Sequence, residues 1–192
     1  MLRRSLLRAL TLLFSPSALA ANDGEADLWR RLKAGGHVVL IRHAATVPGI
    51  GDPPGFRLES CSTQRNLSGI GRDSARRIGA AFRSQAIPIA EVLSSRWCRC
   101  IDTAQLAFGR ASPAPMIDSM FNDDDAARER KLREVRSFMK GYRAKGNLIL
   151  VTHDVNIRAL VGESVAQGEM VLATIRPDGS LGMIGMLPLP PA

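Results

Sequence analysis

Aromatic residues are scarce in this 192-residue chain: six Phe, two Trp and one Tyr, 5% in all. So few rings leave no material for a base-stacking surface, and the lysines and arginines form no block. Nucleic acid is therefore not an expected partner. Cysteine is rare as well. Cys61, Cys98 and Cys100 allow one disulfide and leave one thiol, and a Cys-x-Cys pair with one distant Cys fits structural zinc spacings poorly. Positions two apart rarely meet disulfide geometry, so Cys61 is expected to pair with Cys98 or Cys100. Only three histidines occur, His37, His43 and His153. The apolar stretch Leu6–Phe14 is too short to span a bilayer, which takes ~20 residues.

That stretch has another reading. Arg3, Arg4 and Arg8 precede or enter it, and Ala18-Leu19-Ala20 closes it with small residues. This is the pattern of a cleavable secretory signal over residues 1–20, with 21–192 as a single domain of about 170 residues. A periplasmic or secreted location follows, without stable membrane insertion after cleavage. Export permits the disulfide. Residues 1–20 hold no acid, so cleavage lowers the formal charge from +8 to +5. A modest positive field suits a small anionic substrate. A monomer is expected.

Along the mature chain, strands alternate with helices. Asp27–Ala34 reads as a short helix closed by Gly35-Gly36, which feeds an apolar strand, Val38-Val39-Leu40-Ile41. Residues 47–65 are rich in Gly, Pro and polar groups and read as a long functional loop. Ser68 can cap a helix with Ala75, Ile78 and Phe82 on one face. Residues 91–95 form a second short strand, 97–108 a helix, 113–115 a possible edge strand, and 125–143 a helix stopped by Gly146. Asn147–Val151 is another buried strand, followed by a helix with Ile157, Leu160 and Val161 facing inward. Two strands, 169–175 and 181–187, flank the turn Pro177-Asp178-Gly179. The expected fold is a three-layer α/β/α sandwich with a mostly parallel central sheet.

His43 follows the strand VVLI, and His153 follows LILV after Thr152. Both therefore stand beyond the carboxyl ends of central strands, where open α/β sheets bind ligands. His37 lies at the opposite edge and is assigned no role. Arg42, Arg96 and Arg99 add planar forks that grip phosphate oxygens in pairs. Neighbouring arginines also disfavour protonation of an imidazole, which keeps its lone pair free for attack on phosphorus.

These residues carry a resemblance. "RHAAT" resembles the Arg-His-Gly-x-Thr signature of the histidine phosphatase superfamily, in its phosphoglycerate-mutase-like branch. "LSSRWCRCIDTA" and "VTHDVNIRAL" are similar to that family's second-arginine and second-histidine blocks, and "NLSGIGRDSARRIGAAF" to the helix after its first motif. The matches keep the family's order from about residue 37 to 162. The resemblance implies a phosphatase that needs no cofactor or metal and acts on a small phosphorylated substrate through a phosphohistidine on His43. Arg42, Arg99 and His153 would hold the phosphate. Counting from Ser94 puts the family's arginine at Arg99 rather than Arg96. Thr46, Arg57 and Arg65 are available for substrate, and Trp97 is expected to pack.

Two departures stand out. Ala44 replaces the signature's glycine, and no glutamate follows the second arginine block until Glu129. An acid must protonate the leaving oxygen. Asp123 is the first candidate, Asp124 the second, and Asp154 a third. A simple helix-capping role competes for Asp123 and Asp124. Two other classes compete with the phosphatase: a non-catalytic phosphate-binding protein of the same fold, and a metal hydrolase with His43 and His153 as ligands.

Overall fold

The computed structural model describes residues 16–191. The apolar stretch Leu6–Phe14 and its arginines lie outside the described residues. Among the described residues, no helix is long and apolar enough to cross a membrane.

The central strands are apolar because they are covered on both faces. Strands β1 (Val38–Arg42), β2 (Ile89–Ser94), β3 (Ser112–Pro113), β4 (Asn147–Thr152), β5 (Met170–Ile175) and β6 (Leu181–Leu187) form one sheet in the order β3-β2-β4-β1-β5-β6. Strands β1 to β4 are parallel; β5 joins β1 antiparallel, and β6 joins β5 antiparallel. The central pair runs Val38–Ile41 in β1 and Leu148–Val151 in β4 without a polar residue, which is the expectation for buried parallel strands. Arg42 pairs in register with Thr152 there, and the His43 N–H donates to the Thr152 carbonyl at 2.9 Å.

Helices α1 (Pro16–Ala34), α2 (Gly69–Ser84), α3 (Cys98–Phe108), α4 (Asp125–Gly141) and α5 (Asp154–Val161) complete the layers. The period of two along a strand divides the core. Val39, Ile41, Val92, Ile149 and Val151 face Leu32 of α1, Ile78 and Phe82 of α2 and Ala104 of α3. Val38, Leu40, Leu93, Leu148 and Leu150 face Val135 and Met139 of α4 and Ile157 of α5. The three-layer α/β/α sandwich is thus present. Helix α1 begins at Pro16, eleven positions before the residue at which helical patterning starts in the sequence.

Glycine is required where helix α2 meets the loop after β1. A Cβ on Gly71 would overlap the carbonyl oxygen of Ala45. That same carbonyl accepts from the Ser68 N–H at 3.0 Å, while Ser68 Oγ caps α2 at the Gly71 N–H. The helix therefore presses against the turn that follows His43 and fixes its path.

Candidate active site

His43 and His153 stand side by side at the carboxyl edge of the sheet, each 4% exposed, with ring centroids 5.4 Å apart and planes at 68°. His43 Nδ1 lies 3.0 Å from the Ala44 carbonyl. A carbonyl only accepts, so Nδ1 carries the proton and Nε2 keeps its lone pair. Burial, opposed by that carbonyl bond and reinforced by the charges of Arg99, Arg42 and Arg65, pushes the His43 pKa down to about 3. His153 is likewise held well below its ordinary value, first by burial and then by its neighbours His43 and Arg99. Its Nε2 is 2.9 Å from Ser95 Oγ, which also points at Asp118 Oδ1 at 3.4 Å. Both rings are neutral near pH 7.

Ala44 fits where the resembled signature has glycine because the backbone there does not need one. Ala86 is the sole non-glycine residue with positive φ among those described. The Ala44 methyl group packs in a small cluster with Leu67 and Ala75, and its N–H donates to Thr103 Oγ1 at 3.0 Å.

Cations surround the imidazoles. The Arg42 Nη1 donates to the Val165 carbonyl at 2.6 Å. Arg65 donates to Thr46 Oγ1 at 2.6 Å and to the carbonyls of Gly49 and Gly51. Arg99, on the first turn of α3, is buried and paired with an equally buried Asp52, Nη1 to Oδ1 at 2.7 Å. The Nε atoms of Arg42 and Arg99 are buried without a protein partner. Arg42, His43, Thr46, Arg65, Arg99, Asp123 and His153 all line one open cavity of about 1020 Å³. Arg57 is the exception. Its backbone N–H and carbonyl are both engaged by Thr63 Oγ1, and its side chain turns out to solvent, so it does not serve this cavity.

A scan against protein-family models gives no match, and neither does a search of curated proteins. Solved structures do match. A candidate alpha-ribazole-5'-P phosphatase of Escherichia coli superposes with a TM-score of 0.61 at 15% identity, covering 82% of this chain and 98% of that one. The protein histidine phosphatase SixA, complexed with tungstate, gives 0.54 at 16%, covering 79% and 96%. Phosphoglycerate mutase of Thermus thermophilus gives 0.53 at 21%, covering 80% and 99%. The fold is that of the histidine phosphatases.

On this histidine phosphatase fold the three acid candidates separate. Asp124 is the helix cap: its Oδ1 accepts from the Ala127 N–H at 2.7 Å, and it is exposed outside the cavity lining. Capping removes it from the candidates for proton donor. Asp123 lines the cavity with its carboxylate 2.7 Å from Lys131 Nζ. Asp154 also lines it, accepting from the Val165 N–H at 2.9 Å and lying 3.3 Å from Arg158.

Sequence reasoning missed several residues. Asp52 lies in the long loop, where one acid among prolines and glycines carries no periodic signal. Asp118 is 2% exposed and holds Arg96 through both carboxylate oxygens. Trp97 does pack, edge-on to His153 at 5.5 Å, but it also donates Nε1–H to Asp52 Oδ2 at 2.9 Å. The disulfide joins Cys61 to Cys98, and Cys100 is a free buried thiol with its pKa pushed up to about 12 by burial.

Proposed function

We propose that the protein is an exported phosphatase that hydrolyses a phosphomonoester through a phosphohistidine on His43. The observation that carries this reading is a neutral imidazole with a free Nε2, ringed by Arg42, Arg65 and Arg99 in one cavity. In the first step the Nε2 lone pair attacks phosphorus in line, and the bond to the leaving oxygen breaks. Arg42, Arg99 and His153 hold the non-bridging oxygens as charge redistributes. A cavity carboxyl, Asp123 first and Asp154 next, gives its proton to the departing alcohol. In the second step water attacks the phosphohistidine, the carboxylate takes the water's proton, the P–N bond breaks and inorganic phosphate leaves.

The cavity far exceeds a phosphate group, so its outer half accommodates a sizeable leaving group. The Cys61–Cys98 bond supports export to an oxidising compartment. The test is an acid-free quench during turnover of a radiolabelled phosphomonoester by the mature protein. Label on histidine in the wild type, absent in His43→Ala, is expected. Label on serine, or wild-type turnover retained by His43→Ala, would overturn the mechanism.

A further inference from the structure

We propose that Asp52 is the positioning residue for Arg99, presetting its guanidinium for the phosphoryl oxygens; the inference rests on the phosphatase reading. Asp52 and Arg99 have side chains only 7% and 5% exposed. Three donors from three places in the chain converge on this one carboxylate. Arg99 Nη1 and the Arg65 N–H bond Oδ1 at 2.7 and 2.9 Å, and Trp97 Nε1 bonds Oδ2 at 2.9 Å. Burial alone would raise its pKa, but the Arg99, Arg65 and Trp97 bonds prevail and hold it below the usual carboxylate range.

The arrangement solves two physical problems. An arginine side chain carries ~2 kcal/mol of rotamer entropy, which a ligand must otherwise offset on binding. Pinning Nη1 removes most of that freedom beforehand and leaves the buried, unpartnered Nε for a ligand. Three guanidinium groups also converge here, and one carboxylate offsets one of them while leaving excess positive charge for a dianion. Asp52 is not a plug in the phosphate's place. To leave, it would have to abandon donors on the long loop, on the turn before α3 and on α3 itself. The disulfide from Cys61 to Cys98, the residue beside Arg99, ties that loop to that helix.

The experiment is a double-mutant cycle on the full mature chain with its disulfide intact, read by calorimetric binding of tungstate, a tetrahedral oxyanion. Asp52→Asn keeps the shape and loses the charge; Asp52→Ala is the second variant, and thermal unfolding checks that each is folded. Asp52→Asn should weaken tungstate about ten- to a hundredfold, as for a lost charge-assisted hydrogen bond. In an Arg99→Ala background the same change should cost less than about threefold, because Asp52 acts through Arg99. Trp97→Phe should weaken binding in the same direction by less. Equal losses in both backgrounds would overturn the proposal by showing an effect on the fold at large. Tighter tungstate binding in Asp52→Asn would also overturn it, by showing a carboxylate that competes with the oxyanion. Turnover of an aryl phosphate, measured alongside, keeps the two readings apart. A coupled tungstate cycle without His43-dependent turnover sustains the positioning role and sinks the phosphatase; turnover with an additive cycle does the reverse.

Discussion

Strand β1 is flanked by a histidine at each end, and the two ends could hardly differ more. At the amino end, His37 is half-buried and its N–H donates to Asn147 Oδ1 at 3.2 Å. Asn147 itself is fully buried and directs its amide hydrogens to the carbonyls of Leu32 and Pro88. At the carboxyl end, His43 meets a second imidazole and three guanidinium groups. An unpartnered nitrogen is not what separates them, since His37 Nδ1 lacks a partner too. Convergence is. The amino edge knits protein to protein, whereas the carboxyl edge gathers cations from three segments around nitrogens that no protein atom satisfies. Such groups are costly to bury without a ligand in view.

The sharpest way to break the comparison is to exchange the roles of the two histidines. His43→Ala should lower kcat on an aryl phosphate by at least ~10³-fold, as expected for loss of a nucleophile. His37→Ala should stay within about twofold. Equal losses would make the edge distinction meaningless.

The acid comes next. Asp123→Asn should lose ~10²–10⁴ in rate on alkyl phosphates, whose oxygen needs a proton, and far less on an aryl phosphate whose leaving group departs unaided. Asp124→Asn should be nearly silent on both, because Asn caps a helix about as well as Asp. If Asp154→Asn shows the selective loss instead, the proton comes from the residue beside His153.

The disulfide lies on the site edge only. Cys61→Ser should destabilise the fold by about 3–4 kcal/mol in the chain-entropy account, given the separation of 37 residues. It should also loosen the long loop, so aryl phosphate KM should rise more than kcat falls. A urea midpoint unchanged by reduction would contradict the structural role.

The last contrast concerns pH. Both site histidines have depressed folded pKa values, so the native state stays neutral while the unfolded chain takes up protons. Stability is therefore full above about pH 6.5 and declines as pH falls toward the folded values, by ~1.4 kcal/mol per pH unit for each histidine. Urea unfolding between pH 6.5 and 5 should show this slope, and His43→Asn should remove about half of it. The half-buried His37 is also lowered, by burial and by the Arg31 charge, so His37→Asn should reduce the slope as well.

The sandwich was legible because buried strands and amphipathic helices announce themselves by period, and all six strands lie within about two residues of their expected spans. The helix over 125–143 ends at Gly141. His43, His153, Arg42 and Arg99 were legible because each sits just past a strand or at a fixed step from one. The cavity's other half was not. Arg57 was expected to face substrate and does not, since a turn closed by Thr63 aims it away.

What the sequence determined by itself was the set of residues at the carboxyl edge, because strand ends are set by local patterning and the parallel topology brings them together. What only the tertiary structure decided was the partnership around them. That Cys98 rather than Cys100 meets Cys61, that Asp124 caps a helix while Asp123 faces the cavity, and that Asp52 reaches Arg99 across 47 positions all depend on loop paths. Loops have no period, so their contacts are fixed by packing and hydrogen bonds between residues far apart in the chain.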